Sequence, residues 1–353
     1  MSDVIKGLKR AELQRHVGRM GQIAGAREVT YRGGRQEGVK AVEMYNDTGL
    51  SFAVLPDKGM DIGYASYCGK PLAWLCKNGI VGPQYFENGG TGFFRSFSGG
   101  LLSTCGLTNV GEGGFDGGME LGVHDRIGNL PAERVQVEEY WADDDYYVEV
   151  KGTVRQSCLY HENLTLTREI SIKLGEPKIR ITDMIENEGY NDTPLMMMYH
   201  MNFGFPMLSP HTKLYSQAER TWLLAGEETD VTYDSFLPPT KGYAYQCIAH
   251  DMPGDRDKVS VALVNHELDF GVYVTYSPKQ LPYFDVWKMT GEQDYVVGLE
   301  PGLSLPEGRK SARENGRLIT IHPEEVYIAT LEIGVLPGRE QIEKHLQRYQ
   351  EKV

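Results

Sequence analysis

The sequence lacks the features of three classes of protein. Its five cysteines are odd in number and include no CxxC pair, which argues against a disulfide framework and a zinc knuckle. The net charge of −13 opposes nucleic-acid binding, which needs basic patches. No apolar run reaches the ~18 residues that a membrane-spanning helix requires. Because a charged stretch follows the first residues in place of an apolar signal sequence, we expect a reduced, cytoplasmic protein.

Short catalytic motifs are also missing. The chain has no Gly-x-Ser-x-Gly elbow and no His-Glu-x-x-His pair, so the serine-hydrolase and zinc-protease motifs are absent. The glycine-rich stretch 89–102 does not end in Gly-Lys-Ser/Thr, which a phosphate-binding loop would require. The sequence therefore predicts neither a cofactor nor a metal ion.

Alternation of apolar and polar residues predicts an all-β, mainly antiparallel fold. The pattern has a period of two in residues 50–55, 164–174 and 178–187, and asparagine and glycine mark turns between such segments. Helix is predicted mainly in an N-terminal extension, residues 1–24, and at the C-terminus, residues 338–353. No change in composition marks a linker, so residues 1–353 are predicted to form one domain with a core of about 25–335.

Residues 78–131 differ from the rest because they are dense in both glycine and aromatic residues. A flexible insertion would be polar, whereas this segment contains Phe93, Phe94 and Phe97. Glycines among aromatics are typical of backbone that approaches a ligand or another strand closely. We therefore expect this segment to border a binding site, and we interpret residues 209–255 as loops with short strands.

Three places present side chains that could carry chemistry: His124 with Arg126, His200 with Asn202, and Glu300. Each of the last two sites follows an apolar run that predicts a buried strand, so the imidazole and the carboxylate are expected to be partly removed from water. Desolvation would raise the pKa of Glu300 towards the working range of a base. The alternatives stay open: a lone histidine is often a satisfied core residue, and a glutamate at a strand end is often an ion-pair member.

Further candidates lie near these places. Arg95 and Asp285 could contact a substrate or belong to ordinary ion pairs, and Trp287 suits the apolar face of a sugar ring, although aromatics are more often core residues. Two histidines and one glutamate could also ligate a metal, but their wide separation in sequence makes that signal non-specific.

At these positions the chain resembles a known family. The matching motifs are LPDKGMDI at 55–62, GGLLSTCGL at 99–107, HDRI at 124–127, YHMNFGFP at 199–206 and GLEPG at 298–302. They resemble a branch of the aldose 1-epimerases known as a domain of unknown function, within the galactose mutarotase-like superfamily. The resemblance covers about residues 25–335 and implies a β-supersandwich whose concave face binds a hexose.

The resemblance also implies roles for individual residues. His200 corresponds to the general acid and Glu300 to the general base of the mutarotases, and His124 corresponds to a second histidine of the site. Asp125 departs from the family pattern, which has glycine there, and this puts the pocket wall and the substrate in doubt. The expected substrate-binding residues are His124, Arg126, Arg95, Asn202, Asp285 and Trp287.

The expected function is cofactor-independent acid/base catalysis at the anomeric centre of a small-molecule sugar, as in a mutarotase or a related isomerase. One alternative is a metal-assisted sugar isomerase or lyase that uses the same residues. Another is a non-catalytic carbohydrate-binding protein. We expect no nucleic-acid or membrane partner, and a homodimer stays open because the sequence does not define an oligomeric state.

Overall fold

Three large antiparallel sheets make up most of the molecule. The structure is a computed structural model that describes residue 5 and residues 7–227 and 232–349. The strands are β1 Gly25–Thr30, β2 Lys40–Tyr45, β3 Leu50–Leu55, β4 Asp61–Tyr67, β5 Lys70–Pro71, β6 Ser103–Leu107, β7 Gly114–Asp116, β8 Met119–Leu121, β9 Ala132–Ala142, β10 Asp145–Ser157, β11 Asn163–Lys173, β12 Lys178–Asn187, β13 Thr193–Gly204, β14 Thr212–Ser216, β15 Arg220–Gly226, β16 Gln246–Asp251, β17 Val259–Asn265, β18 Phe270–Tyr276, β19 Tyr283–Thr290, β20 Tyr295–Gly302, β21 Ile319–Ile321 and β22 Val326–Pro337.

Helix is scarce and short. The α-helices are α1 Arg10–Leu13, α2 Phe93–Ser96, α3 Arg309–Glu314 and α4 Arg339–Leu346, and the 3-10 turns are Met20–Gln22, Gly34–Gln36, Pro83–Tyr85, Ile127–Asn129 and Gln347–Tyr349. In the described part of the chain, no helix has the length and apolarity needed to cross a membrane. Of the predicted N-terminal helix, the structure shows only α1 and the 3-10 turn Met20–Gln22. Residues 1–4, 6 and 350–353 of the predicted terminal helices lie outside the described residues.

The sheets differ in how their strands follow the chain. The first has the sequential order β1-β2-β3-β4-β5, and the second has the order β14-β17-β18-β22-β12-β11-β10-β9. The third, which we call the central sheet, has the order β15-β16-β19-β20-β13-β21, and β6 also pairs with β13. The small hairpin β7-β8 stands apart. The predicted all-β, mainly antiparallel fold is confirmed.

The strand predictions hold where one face of a strand is buried. Leu164, Leu166, Ile170 and Ile172 of β11 are buried in the main core, while Thr167, Glu169 and Ser171 on the other face are only partly buried. The bounds of β3 and β12 match the period-two segments 50–55 and 178–187 of the sequence. Residues 209–255 contain β14 and also β15 and β16, which extend the central sheet. Their alternation is weak because both faces of β15 are only partly covered.

A buried arginine ties the three sheets together. Arg168 of β11 donates to both carboxylate oxygens of Asp183 on β12, at 2.9 and 2.6 Å. It also donates to Asp61 of β4 at 3.2 Å and to Thr104 of β6 at 2.7 Å. Tyr199 of β13 donates to Asp183 at 2.7 Å. Since Arg168 is fully buried, its two carboxylate partners compensate its desolvated charge.

We predict that Arg168→Met destabilises the fold by ~3–5 kcal/mol, because it leaves the buried Asp183 without its cation and Asp61 with only Lys58 nearby. The matched control is Arg155→Met on the adjacent strand β10, where a partly exposed ion pair with Glu188 contributes only ~0–1 kcal/mol. Urea unfolding followed by circular dichroism measures both. Equal losses in the two variants would contradict this role of Arg168.

Candidate active site

Three ionisable side chains form one row across the central sheet. Asp285 of β19 is the direct register partner of Glu300 of β20. His200 of β13 lies opposite Glu300, between the paired residues Met198–Gly302 and Met201–Leu299. In the sequence, His200 and Glu300 are separate strand-end candidates. The structure places them on neighbouring strands, and the register of these strands aligns them in one row.

The row is almost completely removed from water. The exposed fractions are 6% for His200, 2% for Glu300 and 1% for Asp285. His200 Nε2 lies 3.0 Å from Glu300 Oε1, but the two atoms are not aligned as a hydrogen bond. Among the described residues, no hydrogen-bond partner reaches His200 Nδ1, Glu300 Oε1 or Asp285 Oδ2. Buried polar atoms without partners are rare in proteins, so three of them in one row make the row a candidate site.

Burial changes which member of the row carries a proton. Desolvation raises the pKa of Glu300 to about 8 and lowers the pKa of His200 to about 4. Desolvation, followed by the charge of Glu300, raises the pKa of Asp285 well above its usual range. At neutral pH a proton therefore resides on Glu300 and the imidazole of His200 is neutral.

This distribution is the reverse of the one that the sequence-based roles require. A base at Glu300 must be ionised and an acid at His200 must be protonated, whereas burial favours the opposite state. The 3.0 Å separation is short enough for a proton to pass between the two side chains once they rotate into alignment. We therefore treat His200 and Glu300 as a pair that holds one proton, because strongly interacting groups titrate as a unit.

His124 stands beside this row, on the wall of a cleft that opens above the row. Its ring centre is 6.3 Å from that of His200 and 4.9 Å from that of Phe93. The backbone N–H of Gly111 donates to His124 Nδ1 at 3.2 Å, so the ring hydrogen of the neutral imidazole is on Nε2. Burial, with a smaller effect of His200, lowers the pKa of His124 to about 3. His124 is therefore a neutral hydrogen-bond donor.

The departure at Asp125 has a structural explanation. Both His124 and Asp125 have φ of +54°, in the left-handed region that favours glycine and tolerates aspartate better than most residues. The Asp125 carboxylate accepts hydrogen bonds from Thr108 N–H, Thr108 Oγ1 and Gln156 Nε2, at 2.9, 2.7 and 2.7 Å. The residue stabilises the turn that presents His124, and it borders a small cavity that shares His124 and Phe97 with the main cleft.

A cleft of about 770 Å³ opens above the row. His124, His200 and Glu300 line it together with a largely aromatic set of side chains: Trp74, Phe93, Phe94, Phe97, Tyr245 and Trp287. The ring centre of His200 is 5.2 Å from that of Trp287 and 5.4 Å from that of Phe97. The glycine-dense segment thus contributes one wall, because α2 and Phe97 bring three phenylalanines to the site.

The remaining predicted residues occupy different places. Asn202 is fully buried and donates to the carbonyl oxygens of Gly100 and His200 at 3.1 and 3.0 Å, so it supports the strand that carries His200. Arg95 is exposed and pairs with Glu87 at 2.5 Å. Arg126 lies 3.6 Å from Asp125. Neither arginine lines the cleft, and their contact with a substrate stays a prediction.

Sequence reasoning missed the contributions of Trp74, Tyr245 and Cys247 to the cleft. Trp74 follows the two-residue strand β5. Its backbone N–H donates to the backbone carbonyl of Asn202 at 3.0 Å, and no sequence pattern indicates this contact. Tyr245 and Cys247 belong to residues 209–255, interpreted from the sequence as loops with short strands. Within the described residues, no group of three or more His, Cys, Asp and Glu side chains is arranged to hold a metal ion.

A comparison with known protein families identifies the family of this chain. The model of the family described as "Domain of unknown function (DUF4432)" matches residues 36–335. The chain belongs to the DUF4432 family. No curated protein matches the sequence significantly.

Solved structures share the fold at low sequence identity. A "putative aldose 1-epimerase" from Klebsiella pneumoniae is 22% identical over 92% of this chain and 87% of its own, with a TM-score of 0.85. A galactose mutarotase-like protein from Clostridium acetobutylicum and the galactose 1-epimerase of Lactobacillus acidophilus are each 14% identical over 89% of this chain and 99% of theirs, with TM-scores of 0.60 and 0.59. The DUF4432 chain therefore has the galactose mutarotase-like fold.

Gly298 provides a test of the row, because it leaves room for the buried carboxyl. A Cβ atom at Gly298 would lie 2.3 Å from Glu300 Oε1 and 3.2 Å from His200 Cε1. We predict that Gly298→Ala displaces Glu300 and lowers kcat at least ~10-fold, since small misplacements of catalytic groups are costly. The control is Gly254→Ala, where no atom lies within 4 Å of the added Cβ. Unchanged kcat in Gly298→Ala, with sugar anomer exchange as the assay, would contradict the placement of Glu300 in the site.

Proposed function

We propose that the protein is an aldose 1-epimerase or a closely related sugar isomerase, which interconverts anomers by acid/base catalysis. The observation that carries the proposal is the buried pair of His200 and Glu300, 3.0 Å apart, at the bottom of an aromatic cleft. Anomer exchange needs one group that accepts a proton and one that donates a proton at the same sugar. A pair that holds a single proton supplies both.

The reaction balances with this pair. Glu300, ionised, accepts the proton of the C1 hydroxyl while protonated His200 donates a proton to the ring oxygen. The bond between C1 and the ring oxygen breaks and a carbonyl forms at C1. After rotation about the C1–C2 bond the proton transfers run in reverse, and closure on the other face of the carbonyl yields the other anomer.

Burial of the pair favours the ring-opened stage of this reaction. Once the ring has opened, Glu300 carries a proton and His200 is neutral, which is the distribution that desolvation favours. The reactive distribution requires transfer of the proton from Glu300 to His200 beforehand, over 3.0 Å. A substrate hydroxyl that contacts the unpartnered Nδ1 or carboxyl oxygens would compensate that cost.

Neighbouring residues supply orientation. His124 presents an Nε2–H donor on the cleft wall, which suits a sugar oxygen. Trp287 packs beside His200 and offers an aromatic face to the apolar C–H surface of a sugar ring. Asp285 lies next to Glu300, and burial together with the charge of Glu300 raises the pKa of Asp285, which favours its uncharged form.

An aromatic cleft would also suit a protein that binds a carbohydrate without acting on it. The two functions differ in what they require of Glu300. Binding tolerates replacement of a proton acceptor by an isosteric amide, whereas anomer exchange does not. A protein whose sugar affinity survives Glu300→Gln, and whose wild type exchanges no anomers, is a binding protein.

We predict a bell-shaped dependence of kcat/KM on pH. As the pH falls through about 4, His200 gains a proton while Glu300 keeps its own, so no acceptor remains. As the pH rises through about 8, Glu300 loses its proton while His200 stays neutral, so no donor remains. NMR exchange spectroscopy on a panel of hexoses, pentoses, deoxysugars and uronic acids measures the rates. A basic limb that stays in place in Glu300→Gln would contradict this assignment.

The same assay separates the roles of the pair. Glu300→Gln and His200→Asn should each lower kcat by ~10²-fold or more, because each removes one proton-transfer group. The double variant should lose less than the product of the single losses, since both groups act in one step. The control Asp251→Asn alters an exposed carboxylate on β16 of the same sheet and should leave kcat unchanged.

A further inference from the structure

The cleft extends well beyond the catalytic pair. On β19, Asp285 is the register partner of Glu300, and Trp287 and Met289, two and four residues further along the strand, line the cleft. Four residues of strand span about 13 Å at ~3.3 Å per residue, which is longer than one pyranose ring. The volume of about 770 Å³ likewise lies towards the upper end of the ~300–1,000 Å³ of sites that hold drug-sized ligands.

The register of the strands defines an outer end of the cleft. Trp287 pairs with Cys247 of β16, and Cys247 pairs with Ala225 of β15. Two residues beyond Trp287 on β19, and further from Glu300, Met289 lies at the level of Tyr245. Tyr245 directly precedes β16. Tyr245, Met289 and Ala225 all line the cleft, and this outer end is separated from the His200–Glu300 pair by Trp287.

Two aromatic rings at the cleft remain uncovered. Tyr245 is 49% exposed and Phe94 is 59% exposed, although both line a concave surface. Phe94 packs at 5.6 Å on Phe93, which in turn contacts His124, so the aromatic wall runs outward from the catalytic end. Exposed aromatic faces in a cleft indicate a ligand that stacks on them, because burial of such surface is favourable.

Polar groups accompany these rings. Lys77 pairs with Asp294 at 2.7 Å, and both line the cleft with Asn78. Lys77 is the only lysine or arginine among the described residues of the lining, and Asp294 already neutralises it. A mixed surface of aromatic faces and hydrogen-bonding groups without a free cation fits an uncharged, hydroxyl-rich ring.

We propose that the outer end of the cleft is a second saccharide subsite, formed by Tyr245, Phe94 and Met289. The preferred substrate is then the reducing end of an uncharged di- or oligosaccharide. Its reducing ring lies at His200 and Glu300, and the adjoining ring stacks on Tyr245 and Phe94. This inference rests on the proposed function for the inner end, but the subsite itself concerns binding.

The test compares monosaccharide and disaccharide substrates in wild type and variants. NMR exchange spectroscopy gives kcat and KM for glucose and for maltose, cellobiose and isomaltose, which present the second ring through different linkages. We expect at least one disaccharide to have a lower KM than glucose. Tyr245→Ala and Phe94→Ala should raise that KM about 2–10-fold, the range of one aromatic contact, and should raise the KM for glucose by a smaller factor.

Phe115→Ala is the matched control, because Phe115 is 69% exposed but does not line the cleft. It should leave both substrate classes unaffected. If glucose exchanges at least as efficiently as every disaccharide, or if the two cleft variants affect glucose and disaccharides equally, the second subsite is refuted while the proposed function stands.

Calorimetric titration separates the two ideas if no sugar is exchanged. If the wild type binds a disaccharide, and Tyr245→Ala weakens this binding while Phe115→Ala does not, the subsite is supported. In that case only the epimerase activity is refuted. Disaccharide binding that is equal in all three proteins, or absent, refutes the subsite.

Discussion

The desolvation of three ionisable side chains in one row of the central sheet is the constraint on which the site depends. His200, Glu300 and Asp285 meet because β13, β20 and β19 are adjacent and in register. Burial then withdraws water from all three and leaves polar atoms of each without a partner among the described residues. That uncompensated state is what makes the pair of His200 and Glu300 suited to exchanging a proton with a ligand.

A second buried charge cluster in the same molecule shows the contrast. Arg168 is as deeply buried as the row, yet it donates to Asp61, Asp183 and Thr104, and its charge is matched by carboxylates. Tyr199 joins this cluster from the residue before His200. Successive residues of β13 thus point to opposite faces: one is held by a satisfied network that stabilises the fold, and the other enters an unsatisfied site.

Sequence patterns predicted much of this architecture. Period-two alternation located β3, β11 and β12 because each buries apolar side chains at alternate positions. His200, Glu300 and His124 were identifiable because an apolar run or a glycine-rich loop delivers an ionisable group. The sequence did not reveal which side chain of the pair carries the proton. That depends on burial by Trp287 and Phe97, which are distant from the pair in sequence. The contributions of Trp74 and Tyr245 depend on long-range strand contacts for the same reason.

The central claim is that burial keeps the imidazole of His200 neutral beside a protonated Glu300. Nitrogen-15 NMR of histidine-labelled protein measures it directly, with His200→Asn used to assign the signal. The account predicts that the His200 nitrogens report a neutral ring at pH 7 and titrate only towards a pKa of about 4. A His200 signal that titrates at or above the ordinary histidine pKa of ~6.5 would contradict it.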